Sequence, residues 1–211
     1  MKKIIKYLFL LTGGSFILAS CNDFLDREPL DSVTPDNFFF TENDLAAYAV
    51  KHYNFTTHEG FNAGIWKNDN ATDNQAATDY DKKWIPGQWK VPEAYDNPAS
   101  NDPWYFSAIR EANYFLETVV PRFEKGEIEG SETNIKHYIG EMYFLRAKNY
   151  LSKLETFGDF PIIKNTLPDE SASLIQASKR EPRHKVARFI LEDLDLAIGL
   201  LTNTISGGKN R

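Results

Sequence analysis

The chain has 211 residues, a formal charge of −6, and a composition that is 42% hydrophobic and 14% aromatic. An acidic surface repels a polyphosphate, so this charge argues against a nucleic-acid partner. The length and the apolar content fit one domain with a sizeable core better than two domains. Because the chain contains one cysteine, its stability must come from that core and not from disulfide bonds.

The first 20 residues have the pattern of a secretion signal. Lysines precede an apolar run that is shorter than the ~20 residues needed to span a bilayer. The sequence Leu18-Ala19-Ser20-Cys21 then resembles the lipobox of bacterial lipoproteins, which implies cleavage before Cys21 and acylation of its sulfur and amino group. We therefore predict a leader over residues 1–20 and lipidation at Cys21. Each methylene of the attached acyl chains that enters the bilayer adds ~0.8 kcal/mol of membrane affinity. The alternative, a small buried thiol, is disfavoured by this cleavage-site context.

The tether and the first helix follow the predicted lipidation site. Residues 21–40 are rich in Asp and Pro and lack a helical period, which predicts an extended tether. We predict one helical domain over residues 41–211. Thr41 and Asp44 form a variant capping box, and apolar residues then recur at helical spacing as far as Tyr53.

Two longer helices are predicted in the middle of the chain. Asp102 and Pro103 predict the start of the second helix, and Pro121 predicts its end. A third helix runs from about Ser131 to Phe157 and is apolar around most of its circumference. Such a helix is expected at the centre of the fold.

The last predicted helix follows a polar loop over residues 164–181. Pro182 opens it, and its apolar stripe reaches Leu201. Helices with aromatic and small residues interleaved predict an all-α fold of tetratricopeptide-like helical hairpins with one long irregular loop. No strict repeat of ~34 residues can be laid over the chain.

The long loop, residues 54–102, is the main candidate for a binding site, because a connection of this length in a compact domain is usually functional. All four tryptophans lie in or beside it. Aromatic platforms beside planar polar groups suit a sugar, whose C–H faces stack and whose hydroxyls form paired hydrogen bonds. The residues predicted to bind a ligand are Trp66, Asn68, Asp69, Asn70, Asp73, Trp84 and Trp89. The alternative is that these rings anchor the loop onto the helices.

Other residues of the chain are predicted to have structural roles. Trp104 and Tyr105, at the start of the second helix, are expected in the core. Arg146 lies in the apolar stretch of the third helix and is expected to form a buried ion pair, with anion binding as the alternative. The core of that helix is expected to include Met142, Leu145 and Leu151, whereas a solvated charged face is expected for Glu192, Asp193 and Asp195.

The sequence predicts no metal site and no cofactor. The oxygen-rich run over residues 68–81 invites a calcium interpretation, but it lacks the glycine and the closing glutamate of an EF-hand loop. A solvated polar loop is therefore favoured. The four histidines show no metal-ligand spacing.

Three stretches resemble the SusD/RagB family: PWYFSAIREANYFLE, GEMYFLRAKNYLSKLETFGDFPII and VARFILEDLDLAIGLL. The residues that follow Cys21, NDFLDREPLDSVTPDNFF, also fit the family pattern, so the resemblance covers the mature chain. It implies tetratricopeptide-like helices and a lipid-anchored protein of the outer-membrane surface, which captures nutrients for a SusC-like TonB-dependent transporter. Family members are usually more than twice as long. We therefore expect that the chain is truncated at Arg211 and lacks the binding groups of the C-terminal half.

The resemblance implies a non-enzymatic surface protein that binds oligosaccharide. Two alternatives stay open at this point. The first is a peptide-binding uptake protein, because the RagB branch of the family is associated with peptides. The second is an anchored glycoside hydrolase, which needs two carboxylates ~5 to 9.5 Å apart across a cleft, and the sequence offers no evident pair.

Overall fold

The computed structural model describes residues 38–53, 85–88, 90–93 and 102–203. These residues form five α-helices and no strands, which confirms the predicted helical class. Among them, no helix is both long enough and apolar enough to cross a membrane. The helices are α1 (Glu42–Val50), α2 (Ser107–Lys125), α3 (Glu132–Phe157), α4 (Ser171–Ala177) and α5 (Arg183–Leu200).

The capping box predicted at the start of α1 is confirmed. The Thr41 hydroxyl accepts from the Asp44 backbone N–H, and the Asp44 carboxylate accepts from the Thr41 N–H. The residue pair thus satisfies two donors that a helix start leaves free.

The residue Phe39, which precedes the cap, belongs to the packed core. It is fully buried even though its φ of 69° lies in the left-handed region. Burial of this ring offsets a backbone cost of about 1–3 kcal/mol.

The predicted ends of α2 are wrong at both sides. The Asp102 carboxylate accepts from the Trp104 N–H at 2.8 Å, so it caps a turn that lies before the helix, and α2 begins at Ser107. Pro121 lies inside the helix at an exposed position, so the helix continues through a residue that donates no backbone hydrogen bond. The helix ends at Gly126, whose left-handed φ of 69° suits glycine.

Helix α3 is central, as its sequence predicts, because α1, α2 and α5 all pack against it. Leu145 is buried, but Leu151 is 45% exposed, so the expectation that Leu151 belongs to the core is wrong. At Gly140 the C-terminal part of α5 approaches closely: an added Cβ would lie 3.0 Å from Leu200 Cβ. Glycine therefore permits this contact between α3 and α5.

The core has two parts. The N-terminal core joins α1, α2 and the first half of α3, and its largest buried side chains are Phe39, Leu45, Phe115, Val119 and Met142. The C-terminal core joins the start of α2, the second half of α3, the chain after α3, and α5, and it contains Ile109, Tyr150, Phe157, Phe160, Val186 and Phe189.

The segment between α3 and α5 contains a short helix that the sequence does not predict. Helix α4 lies in the predicted polar loop and buries none of its residues. Phe160 and Glu181 exchange two backbone hydrogen bonds of 3.1 Å, which bring the two ends of this segment together. Helix α5 then begins directly after Pro182, as predicted.

Candidate functional site

The residues predicted to bind a ligand lie outside the described residues, and so does the predicted lipidation site, Cys21. This applies to Trp66, Asn68, Asp69, Asn70, Asp73, Trp84 and Trp89. Of the long loop, the structure describes residues 85–88 and 90–93 and its last residue, Asp102. The roles of these predicted residues therefore stay predictions.

Trp104, which follows the loop, packs in the C-terminal core as expected. Its ring lies 4.1 Å from the ring of Phe157, and the Arg180 guanidinium sits 4.8 Å from its centroid. The indole N–H donates to the Pro92 carbonyl at 2.8 Å. The tryptophan therefore fastens one described part of the loop to the helices.

Tyr105 is not in the core, contrary to expectation, because 43% of its surface is exposed. It lies at a cleft of about 320 Å³ between the start of α2 and the second half of α3. We call this the Tyr105 cleft, and its polar and aromatic lining comprises Asp102, Tyr105, Ser107, Glu111, Asn149, Ser152 and Lys153. An exposed ring beside hydroxyl and amide groups has the chemistry that was predicted for the loop, but at a different place.

The turn at one end of the Tyr105 cleft is held by two buried or half-buried charged groups. The Lys153 ammonium donates to the Pro103 carbonyl, and the buried Asp102 carboxylate holds the Trp104 N–H. Burial lowers the pKa of Lys153, and the Asp102 carboxylate opposes this shift. The backbone on which Tyr105 stands is therefore fixed to α3.

Arg146 forms the buried ion pair that its position predicts. Its Nε and Nη2 donate to the two carboxylate oxygens of Asp193, each at 2.8 Å. Its Nη1 donates to the Asn113 side-chain oxygen at 2.9 Å and to the Lys164 carbonyl. This Arg146 network joins α2, α3 and α5 to the chain after α3. The bidentate geometry satisfies the guanidinium in a position where an unpaired charge would be costly.

Two further side chains hold the segment that follows α3. The Asn113 amide donates to the Ile163 carbonyl at 2.8 Å. The Tyr150 hydroxyl donates to that same carbonyl and accepts from the Ile163 N–H at 2.8 Å. Burial raises the pKa of Tyr150 to about 12, although the contact with Ile163 opposes the shift. The hydroxyl therefore keeps its proton at physiological pH.

A second polar cluster lies at the other end of α3. The Thr202 N–H donates to His137 Nδ1, so His137 Nε2 carries the proton and donates to Glu141 at 2.9 Å. Glu141 also accepts from the Tyr53 hydroxyl. The contacts fasten the end of α5 and the residues after α1 to α3. The part of the chain that the structure describes contains no group of three or more His, Cys, Asp or Glu side chains that could hold a metal.

Comparison with known proteins adds what the geometry alone does not supply. A family described as SusD-like, starch-binding and associating with the outer membrane has a sequence model that matches residues 23–209. The chain belongs to this SusD-like family. Its relatives include SusD-like protein P2 of Formosa agariphila, which is 26% identical over 193 residues. That alignment covers 89% of this chain and 36% of the relative.

A solved structure also resembles this SusD-like chain. The crystal structure of a SusD-like protein from Bacteroides fragilis superposes with a TM-score of 0.55 at 24% identity, and it confirms the fold. The match covers 86% of this chain and 34% of the other. The chain therefore spans about a third of the length of both relatives.

Sequence reasoning missed two features of this SusD-like chain. Asp193 was expected on a solvated face, and this is wrong, because the side chain is buried against Arg146. Its position between the buried Ile190 and Ala197, on the apolar stripe of α5, is the signal that could have identified it. The exposure of Tyr105 had no comparable signal, since Trp104 and Tyr105 are adjacent aromatic residues outside a helix.

Proposed function

We propose that this SusD-like chain acts at the outer-membrane surface as a non-enzymatic protein that binds oligosaccharide and delivers it to a SusC-like TonB-dependent transporter. The observation that carries the proposal is the match of residues 23–209 to a family described as starch-binding and associating with the outer membrane. The cluster of tryptophans with Asn and Asp in the loop supports a carbohydrate ligand, because these groups supply stacking surfaces and paired hydrogen bonds.

The proposed anchor is a lipid on Cys21, attached after removal of residues 1–20. Support comes from the sequence alone, namely the short apolar run and the small residues before the single cysteine. Lipidation at this position would hold the protein at the membrane without a spanning helix. Radiolabelled palmitate should label the parent, and Cys21→Ala should abolish the label and release the protein from the membrane fraction. Label retained on the variant would contradict the anchor.

A binding role is favoured over hydrolysis by how the described carboxylates are used. Asp193 pairs with Arg146, and Glu141 holds both His137 and Tyr53. A glycoside hydrolase needs one carboxyl as an acid and another as a base or nucleophile, both facing the substrate. The described buried or half-buried carboxylates serve internal contacts instead.

An array that presents both glycans and peptides to the lipid-free mature chain tests the proposal against its alternative. We expect binding to neutral oligosaccharides and none to peptides. Trp84→Ala and Trp89→Ala should weaken glycan binding, because each removes one aromatic platform, whereas the helical circular dichroism should stay unchanged. Binding to peptides alone would favour the peptide-uptake function of the RagB branch.

A further inference from the structure

We propose that the Tyr105 cleft is a subsite for one or two rings of a neutral sugar, on the helical scaffold and separate from the predicted tryptophan site. The proposal rests on the oligosaccharide-binding function proposed above and assigns part of that binding to described residues. The cleft volume of about 320 Å³ lies near the lower end of small-molecule sites, which span roughly 300–1,000 Å³. This size favours one or two rings over a longer stretch of chain.

The aromatic wall of the cleft is Tyr105. Its neighbours in the sequence are used for packing: Trp104 lies against Phe157, and Phe106 stacks on Phe160 at 5.1 Å. Tyr105 alone of these three rings is more than two-fifths exposed, which leaves it able to stack on the C–H face of a sugar. The backbone that carries the ring needs little ordering on binding, because the Tyr105 N–H donates to the Asp102 carbonyl at 2.9 Å and fixes the turn.

The rest of the cleft lining carries groups that can bind sugar hydroxyls. Asn149 uses its amide N–H₂ to donate to the Leu145 carbonyl at 2.8 Å. Within the described residues, the side-chain oxygen of Asn149 and the hydroxyl of Ser152 have no protein partner. Ser107 donates to Glu111, so its oxygen can still accept. Donors and acceptors thus lie side by side, as the vicinal hydroxyls of a sugar require.

The charged groups that line the cleft favour a neutral ligand over an acidic one, because they comprise two carboxylates, Asp102 and Glu111, and one ammonium, Lys153. Lys153 donates to the Pro103 carbonyl, and Asp102 accepts from Trp104. Glu111 accepts from Ser107 and lies 3.3 Å from the Lys51 ammonium. A uronic acid would bring a carboxylate close to those of Asp102 and Glu111, and the single Lys153 ammonium would only partly offset this like-charge repulsion. The electrostatics therefore disfavour acidic sugars.

Calorimetric titration of the mature chain with maltoheptaose, laminarihexaose, xylohexaose and an oligogalacturonate tests the assignment. For the neutral sugar that the parent binds, Tyr105→Ala should lower the affinity on the order of tenfold, since a stacking surface is lost. Asn149→Ala should lower it roughly threefold or more. Ser152→Trp fills the cleft from an exposed position on α3 and should weaken binding at least as much as Tyr105→Ala. The matched control is Phe144→Ala, which removes a ring of 38% exposure on another face of α3 and should leave the affinity unchanged.

The outcomes separate this inference from the function on which it rests. A parent that binds a neutral sugar, together with cleft variants that stay within twofold of it, would overturn the cleft and leave the oligosaccharide function intact. A parent that binds none of the four sugars would overturn the proposed function, and the subsite with it. Binding of oligogalacturonate that is tighter than any neutral sugar, and is lost in Ser152→Trp, would overturn the neutral class. Unchanged circular dichroism in each variant ensures that lost affinity reports on the cleft and not on unfolding.

Discussion

The N-terminal core of this chain contains a cluster of edge-on aromatic rings, whereas the C-terminal core contains a buried bidentate ion pair. In the N-terminal core, Phe39 meets Tyr48 and Phe115 edge-on, with ring centroids 5.1 and 5.4 Å apart. These contacts depend on area and shape. The C-terminal core adds the Arg146 network, whose hydrogen bonds have fixed directions. Ring packing holds helices against one another, whereas the Arg146 network holds one irregular segment, residues 163–165, in a fixed position on the helices.

The Arg146 network should give the largest effect of a single substitution. Arg146→Met leaves the Asp193 carboxylate buried without a partner, so the free energy of unfolding should fall by ~3–5 kcal/mol. The double variant Arg146→Met/Asp193→Leu removes both charges and should recover most of that loss. Urea denaturation of both variants checks this, with the exposed Arg188→Met as a control. A double variant as unstable as the single one would show that the network itself, and not the orphaned charge, supplies the stability.

Substitutions along α3 sharpen the difference between packing and exposure. Leu145→Ala should cost ~2–5 kcal/mol, because Leu145 is 5% exposed and its removal leaves a cavity in the N-terminal core. Leu151→Ala, on the same helix, should lower the free energy of unfolding by only ~1 kcal/mol or less, because 45% of the residue is already exposed. Thermal melts compare the two. Equal shifts would mean that the boundary of the core has been placed wrongly.

The hydroxyl of Tyr150 tests the directed contacts alone. Tyr150→Phe keeps the ring and removes two hydrogen bonds to Ile163, so it should cost about 1–3 kcal/mol. The control is Tyr143→Phe, because the Tyr143 hydroxyl makes no hydrogen bond to the protein within the described residues. Amide hydrogen exchange at Ile163 should rise in Tyr150→Phe and stay unchanged in the control. If the Ile163 amide stays protected from exchange in Tyr150→Phe, packing and not the Tyr150 hydroxyl holds residues 163–165 in place.

The N-terminal core should carry the pH dependence. Burial lowers the pKa of His52, with Lys51 acting in the same direction and Glu111 opposing it. The folded state therefore favours neutral His52, while the unfolded chain takes up a proton near its ordinary pKa of 6.5. The free energy of unfolding should fall as the pH drops below about 6.5.

His52→Gln should reduce this slope, whereas His184→Gln, at an exposed position on α5, should leave it unchanged. Denaturation curves recorded between pH 7.5 and 5 provide the comparison. Among the described residues the buried nitrogen His52 Nε2 has no hydrogen-bond partner, so none of them offers an acceptor for an added proton there. A slope unaffected by His52→Gln would move the pH dependence to other groups.

The two cores also differ in how far the sequence predicts them. The helical spacing of apolar residues and the capping residues identify α1, the central α3 and the start of α5. Each of these elements buries an apolar stripe or begins with a local sequence signal. Helix α4 escapes prediction because it is seven residues long and buries nothing. The Asp193 partner of Arg146 and the exposure of Tyr105 depend on which elements meet in space. Local sequence carries only part of that information.

The most direct test is calorimetry of the mature chain with maltoheptaose, laminarihexaose and xylohexaose, followed by reducing-end analysis of the recovered sugar. We expect saturable binding of at least one neutral sugar, weakened by Trp84→Ala and by Tyr105→Ala, with no new reducing ends after prolonged incubation. Release of reducing ends would contradict this expectation and indicate a hydrolase. Binding that is unaffected by either variant would also contradict it, because the ligand would then lie on neither aromatic site.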